Sequence, residues 1–338
     1  MKKIIIGLDA MGGDNAPQMV IEAAKSLLLE KDIDILFIGD REKLAGYLPE
    51  DKIVHAPSVI SCSELPEEAF RKKKDSSIAI GTMLQKEGKI DAFVSAGSTG
   101  ACVMFSLLTL GRLKGVRRPA LGIFFPTKSG NFTFILDVGA VTFVKPYDLY
   151  QFGIMGAKCI EKLTGNNNPK VAILSVGEES VKGSPLTKEA FDILKKSKLN
   201  FIGNIEGHQI IEGISDVVVC DGMVGNILLK LAESVLSTFK DVIKKTIDSS
   251  VWAKMGGALI AGALRREFGK FNYEQYGGAF LLGVKGVTII SHGRSSAEAI
   301  KSAVHTAASY VKSGVNEYIE ETIIKDENVD QSPDSLSN

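Results

Sequence analysis

Short apolar runs alternate with stretches of helical periodicity along most of the chain. Ile4–Asp9 reads as a strand, Pro17–Glu30 as a helix, Ile33–Ile38 as a strand and Glu67–Lys86 as a helix. Asp91–Ser95 is predicted as a strand leading into a helix over Ser98–Arg112. Ala120–Phe125 and Phe132–Asp137 flank Lys128-Ser129-Gly130-Asn131 and predict an antiparallel hairpin. Helix Pro146–Leu163, strand Val171–Ser175, helix Leu186–Lys195 and strand Val217–Cys220 follow. Two long helical stretches, Val224–Ile247 and Lys254–Glu267, predict a helical hairpin over 224–267, ahead of strand Val287–Ser291 and helix Ala297–Val311. The strands are apolar throughout rather than alternating, as in a sheet covered on both faces. The repeated β-then-α order predicts an α/β fold: a doubly wound, mostly parallel sheet in three αβα layers, with ligands at the carboxyl ends of the strands. The pattern reads as one unit over 1–325, followed by a polar, disordered tail over 326–338.

Composition narrows the function classes. Lys plus Arg and Asp plus Glu are 40 each in 338 residues, so the basic excess of a nucleic-acid binder is absent. Glycine is enriched, 34 of 338, against about 7% in average usage, which points to tight turns and backbone-lined sites. Cys62, Cys102, Cys159 and Cys220 form no CxxC pair, so no disulfide or zinc framework is expected. No run of about 18 uncharged apolar residues occurs, and the opening apolar run stops at Asp9, too short for a signal peptide. A cytoplasmic protein is expected.

The candidate chemistry sits where strands give way to glycine-rich loops. Asp9-Ala-Met-Gly12-Gly13-Asp14-Asn15-Ala-Pro17 follows the first strand, with Asp14 or Asn15 expected to cap the next helix. Ser95-Ala-Gly97-Ser98-Thr99-Gly100-Ala joins a strand to a helix start and reads as a phosphate cradle. It is neither a Walker A loop nor a GxSxG elbow. Similar junctions are Asp137-Val-Gly-Ala, Gly177-Glu178-Glu179 with Lys182-Gly183, Asp221-Gly-Met-Val-Gly-Asn226, Tyr276-Gly277-Gly278-Ala and Ser291-His292-Gly293-Arg294. All are expected to converge on one sheet edge.

Asp-Ala-Met-Gly-Gly-Asp at 9–14, Ser-Ala-Gly-Ser-Thr-Gly-Ala at 95–101 and Cys-Asp-Gly-x-Val-Gly-Asn at 220–226 resemble the PlsX-type phosphate:acyl-ACP acyltransferases. Lys-Lys-Asp-Ser-Ser at 73–77, Gly-Asn-Ile-Glu-Gly at 203–207 and Tyr-Gly-Gly-Ala at 276–279 extend the resemblance to about residue 320. Val141–Val144, His208-Gln209 and Phe280 depart from it: the family usually has Asn and Asp, Arg-Asp, and Pro there. The resemblance implies a fold similar to phosphotransacetylases and isopropylmalate dehydrogenases. It also implies transfer of a fatty acyl group from acyl carrier protein to inorganic phosphate, giving acyl phosphate for phospholipid synthesis. A membrane glycerol-3-phosphate acyltransferase then receives the product. No cofactor and no metal are implied.

Phosphate is itself a nucleophile, so the site needs donors and positioning rather than an activated Ser or Cys. The Gly97–Gly100 backbone, the Ser98 and Thr99 hydroxyls and Lys182 are the expected donors. His292 or Lys182 would stabilise the leaving thiolate, and Asp9 and Asp14 would orient donors. Gly12, Gly13, Asn15, Asp137, Glu178, Asp221, Asn226, Tyr276, Gly277 and Gly278 are expected around the substrates. Arg71-Lys72-Lys73-Lys74, Arg117-Arg118 and Arg265-Arg266 are candidate docking clusters for the acidic carrier protein. A stripe at Leu228, Leu231, Val235, Phe239, Val242 and Ile243 predicts a homodimer. Val251, Trp252, Met255, Leu259 and Ile260, flanked by basic residues, predict peripheral membrane contact. Two other readings stay open: a metal-dependent NAD dehydrogenase of similar fold using Asp9, Asp137 or Asp221, and a non-catalytic scaffold on the membrane surface.

Overall fold

The structure, a computed structural model, describes residues 3–270 and 277–330, except the side chains of 265–270 and 327–330. The strands are β1 (Ile4–Asp9), β2 (Ile33–Gly39), β3 (Ile53–His55), β4 (Ala92–Ser95), β5 (Ala120–Pro126), β6 (Phe132–Leu136), β7 (Lys170–Leu174), β8 (Asn200–Ile205), β9 (Val217–Val219), β10 (Ala279–Leu282) and β11 (Val287–Ile290). Between them run α1 (Gln18–Leu27), α2 (Arg41–Leu44), α3 (Pro66–Lys72), α4 (Ser77–Lys86), α5 (Thr99–Leu110), α6 (Pro146–Thr164), α7 (Pro185–Lys196), α8 (Gly207–Glu212), α9 (Gly222–Asp248), α10 (Val251–Lys270), α11 (Ala297–Ser313) and α12 (Val315–Asp330).

All the strands join one sheet in the order β3-β2-β1-β4-β11-β10-β5-β6-β9-β7-β8. Because both faces of each strand are covered, neighbouring side chains serve different cores. Phe134 and Leu136 enter one apolar cluster with α1, α6 and α11, while Ile135 enters a second on the opposite face with α4 and α5. This is the predicted three-layer α/β architecture, mostly parallel.

Direction changes at the centre. β10 is antiparallel to both β11 and β5, and β5 is antiparallel to β6. The block β3-β2-β1-β4-β11 therefore runs opposite to β6-β9-β7-β8, each block being parallel within itself. The expected convergence of every strand-end loop on one sheet edge is accordingly corrected: the carboxyl ends of the two blocks lie at opposite edges.

Several boundaries also differ from the sequence pattern. The helix expected over Glu67–Lys86 is two helices, because Ser76 turns into a cap whose side chain accepts from the Ala79 N–H. Lys73, at the break, donates to Glu64 and to the Val59 carbonyl. β3, β8 and β10 are additional strands, and α12 carries helix to Asp330, into the stretch expected to be tail. α1 starts without a side-chain cap: Pro17 holds the cap position and the Asn15 carbonyl, not its side chain, accepts from the Met19 N–H.

Candidate active site

The loops after β1, β4 and β11 are tied into one rim by carboxylate and backbone bonds. Asp9, at the end of β1 and 1% exposed, accepts from the N–H groups of Met11 and Gly12 through Oδ1, both at 3.0 Å. Its Oδ2 accepts from Ser95 Oγ at 2.6 Å, and that hydroxyl in turn accepts from the Gly97 N–H at 3.0 Å. Burial pushes the Asp9 carboxyl above its usual range, against the pull of these hydrogen bonds. The Ser291 N–H reaches the Ser95 carbonyl at 2.8 Å, and the Asp14 N–H reaches the Gly293 carbonyl at 2.7 Å. Gly12 fits this crossing because a Cβ there would lie 2.6 Å from the Gly97 nitrogen.

From this rim α5 departs. Ser98 caps it by accepting from the Ala101 N–H, and Thr99 and Gly100 form the exposed first turn. A helix N-terminus leaves N–H groups unspent and carries partial positive charge, the arrangement that receives phosphate.

The opposite side is built by Asp137, just past β6 and fully buried. Its carboxylate gathers four backbone N–H groups: Leu121 at 2.8 Å, Gly139 at 3.0 Å, Ala140 at 2.9 Å and Val141 at 2.7 Å. Burial pushes this carboxyl up to about 6. α9 begins here, capped by Asp221 through the Val224 N–H at 2.9 Å. The glycines of the Asp-Gly-x-Val-Gly motif seat it: a Cβ on Gly222 would lie 2.5 Å from the Val141 carbonyl oxygen, and one on Gly225 1.9 Å from that of Asp137.

Between the two sides lies a cavity of about 500 Å³. Gly97, Ser98, Thr99 and Gly100 line it at one end with Ser291 and His292, Val138 and Gly139 line it at the other, and α9 roofs it with Asn226, Leu229, Lys230 and Glu233. These four follow the i, i+3, i+4, i+7 spacing of one helix face. The His292 Nδ1 accepts from the Arg294 N–H at 3.1 Å, which puts the proton of the neutral ring on Nε2, 3.7 Å from Glu233 Oε2. Lys230 Nζ lies 3.2 Å from the same carboxylate oxygen. Ser291 is 6% exposed and its Oγ has no hydrogen-bond partner, so a buried hydroxyl is available to a ligand.

The structure thus brings together Gly97, Ser98, Thr99, Gly100, His292 and Asn226, with Asp9, Gly12, Gly13 and Asp14 supporting the rim from behind. Lys182, Glu178 and Asp221 belong elsewhere. Lys182 is exposed beyond β7, in the turn where its N–H reaches the Glu179 carbonyl, and Glu178 accepts from Gln209 Nε2 at 2.7 Å. Asp221 and Gly183 line a separate cavity of about 360 Å³ beside α7. Gly277 and Gly278 are packing residues: a Cβ on Gly277 would strike Thr306 of α11 at 1.8 Å, and one on Gly278 the Ile290 carbonyl oxygen at 2.8 Å. Tyr276 lies outside the described residues. Sequence reasoning missed Lys230, Glu233 and Leu229, although their spacing after Asn226 carried the signal, and it missed Cys62, exposed at the cavity rim. Of the carboxylates considered as metal ligands, Asp9 and Asp137 are turned into their own loops and Asp221 caps α9, and the described residues hold no group of three His, Cys, Asp or Glu suited to a metal ion.

Comparison with known proteins gives the fold and the family. The solved phosphotransacetylase of Streptococcus pyogenes shares the fold, with a TM-score of 0.59 at 20% identity over 92% of this chain and 95% of that one. The sequence model of the family described as fatty acid synthesis protein matches residues 4–318. The phosphate acyltransferase of Halothermothrix orenii is 45% identical over 331 residues, 95% of this chain and 99% of that protein. That of Thermoanaerobacterium thermosaccharolyticum is 42% identical over 321 residues, 94% of this chain and 96% of that protein. The fold is that of an α/β enzyme with its cavity at the switch between two sheet blocks. The chain belongs to the fatty acid synthesis protein family, whose matched members are named phosphate acyltransferases.

Proposed function

We propose that this enzyme moves a fatty acyl group from acyl carrier protein to inorganic phosphate, releasing acyl phosphate for a membrane glycerol-3-phosphate acyltransferase. The observation that carries the reading is a cavity joining a helix N-terminus, rich in hydroxyl and N–H donors, to an apolar floor. Phosphate seated at Thr99 and Gly100 directs one oxygen at the thioester carbonyl. The C–O bond forms, the C–S bond breaks, and the phosphopantetheine thiolate leaves. The α5 N-terminus and the Ser291 hydroxyl hold the phosphate, Lys230 offsets its charge, and the His292 Nε2–H, steadied by Glu233, faces the leaving sulfur. A phosphate dianion needs several donors, each charged hydrogen bond contributing about 1.5–3 kcal/mol.

α3, whose Pro66 packs against Gly100 at the start of α5, ends in a basic cluster. Lys72 pairs with Glu68 and Lys73 with Glu64, while Lys74 lies 3.4 Å from the Phe70 ring centroid. Arg71, Lys72 and Lys74 are all exposed, and Arg71 is the cation of this cluster that we assign to carrier-protein docking. Arg117 is engaged with Asp148 and Tyr147.

The α9–α10 hairpin fits a homodimer at the membrane surface. Only Gly222 and Gly225 of α9 are buried, and Leu231, Val235, Phe239 and Val242 are exposed. Trp252 and Leu259 of α10 are 80% and 88% exposed. No helix among the described residues is long and apolar enough to cross a membrane, so contact would be interfacial.

The test combines purified protein, acyl-ACP and phosphate, with acyl phosphate trapped by hydroxylamine. Thr99→Val combined with Ser291→Ala is expected to raise the KM for phosphate at least tenfold and leave that for acyl-ACP within twofold. Equal shifts in both constants, or no trapped product from the unaltered enzyme, would count against the reading.

A further inference from the structure

The cavity changes character along its length. Glu233 and Lys230 stand at the end near His292, whereas Asn226, two helical turns earlier, lies against Gly139, where a Cβ would be 3.5 Å from the Asn226 Cβ. α9 therefore runs lengthwise over the cavity, from the loop after β6 to the loop after β11. Seven residues of helix span about 10 Å. The floor beneath crosses from β11 through β10 and β5 to the loop after β6, three strand spacings or about 14 Å. Along it lie Ile290, Ala279, Ile123, Leu121 and Val138, none more than 9% exposed, with Leu229 of α9 above them. The hydroxyl, His292 and Lys230 donors thus cluster at one end, Asn226 is the polar side chain at the other, and the floor between them is a trough lined by hydrocarbon.

We propose that this trough seats the alkyl chain of the acyl donor, an inference that rests on the acyl-transfer reading above. The carbonyl sits at the Ser98–Ser291 end beside phosphate. The chain then lies over Ala279, Ile123 and Leu121, under Leu229, and is stopped at Val138 and Gly139. Chain-length preference follows from the length of the trough, and Leu229, half-buried on a helix surface, is the residue that sets how closely the chain is covered.

Alkylphosphonates test this without turnover, since each carries a phosphate-like head and a chain of chosen length. In calorimetric titrations of the full-length protein from methyl- to dodecylphosphonate, affinity is expected to rise up to about fourfold per methylene, the factor equivalent to about 0.8 kcal/mol. The rise ends where the chain meets Val138. Leu229→Trp, which fills the trough, is expected to flatten the series after the first carbons. Leu229→Ala, which uncovers it, is expected to reduce every increment, with methylphosphonate within twofold of the unaltered protein in both variants. A series independent of chain length, or one equally steep in both Leu229 variants, would overturn the assignment. A steep series in a protein that yields no acyl phosphate supports the trough and sinks the acyl-transfer reading, whereas turnover with a flat series sinks the trough alone.

Discussion

Gly225→Ala measures how tightly the roof of the cavity is seated. In a helix interior alanine is favoured over glycine by about 1 kcal/mol, so on propensity alone this change in α9 would stabilise the protein. The structure reverses the sign. The new methyl would lie 1.9 Å from the carbonyl oxygen of Asp137, 2.9 Å from its carbonyl carbon and 3.0 Å from Cys220 Sγ. Ordinary contact is about 3.5 Å, so α9 or the loop after β6 must retreat by roughly 1.5 Å. Neither gives way cheaply, because the Asp137 N–H is bonded to the Cys220 carbonyl and the Asp137 carboxylate holds four further N–H groups. Overpacking of this kind costs about 1–3 kcal/mol. After the helical gain is subtracted, a loss of up to about 2 kcal/mol remains, lowering the midpoint by about 2–4 °C per kcal/mol. Gly256→Ala, in α10 with nothing near its would-be Cβ, is the matched control and is expected to gain stability by up to about 1 kcal/mol. Calorimetric unfolding of both variants, with phosphate KM measured alongside, checks the reasoning. Gly225→Ala as stable as Gly256→Ala, with KM unchanged, would refute the close seating of α9.

Lys230→Ala is expected to raise the phosphate KM about tenfold, the loss of one charged hydrogen bond, whereas exposed Lys182→Ala is expected to change it less than threefold; a larger effect at Lys182 moves the phosphate to the other sheet edge. Folding favours the neutral form of Asp137, whose carboxyl is held at about 6 against an ordinary 3.8. Its contribution to stability is therefore complete below about pH 4 and lost as the pH rises through 6, on the order of 3 kcal/mol. Asp137→Asn is expected to remove that slope from urea midpoints measured between pH 4 and 7. Trp252 is the lone tryptophan, so its emission is expected to shift to the blue with anionic vesicles at low salt and to stay unshifted in Leu259→Glu; an unshifted spectrum in the unaltered protein argues against interfacial contact. Light scattering is expected to give twice 36.3 kDa, and a monomer at micromolar concentration would leave the α9 stripe without its partner.

The elements of the parallel blocks were legible because their strands are uniform apolar runs followed by capped helices. Ile4–Asp9 and Ser95–Gly100 needed no tertiary information to be placed. What the pattern could not carry was direction. β10 is a four-residue apolar run after two glycines, and nothing local says that it pairs antiparallel with β11 and β5. Because β10 is antiparallel to both neighbours, β5 runs parallel to β11, and it is the β5–β6 hairpin that turns the second block over, moves Lys182 and Asp221 to the far edge and divides the loops that the parallel reading had gathered. The exposed apolar stripe on α9 was legible from its period, and it drew attention from the neighbouring face, where Asn226, Leu229, Lys230 and Glu233 repeat with the same period toward the cavity. At Gly277 a φ of +90° and the Thr306 side chain beside it are sufficient on their own to require glycine.

Asp9 and Asp137 show why acidic motif residues at strand ends need not be bases. They end β1 and follow β6, on blocks running in opposite directions, yet each turns its carboxylate back onto the backbone of the loop that follows. Asp9 draws Met11, Gly12 and the Ser95 hydroxyl together, and Asp137 draws Leu121, Gly139, Ala140 and Val141 together. Neither carboxylate lines the cavity, so neither is placed to take a proton from a substrate. Removing either would release several buried N–H groups at about 1–3 kcal/mol each. The two residues therefore set the shape of the rim, and the donors that face the cavity are main-chain N–H groups, hydroxyls, Lys230 and His292. That division suits a reaction whose nucleophile, phosphate, arrives already charged. Such a site gains more from holding the anion and the thioester in register than from a base of its own.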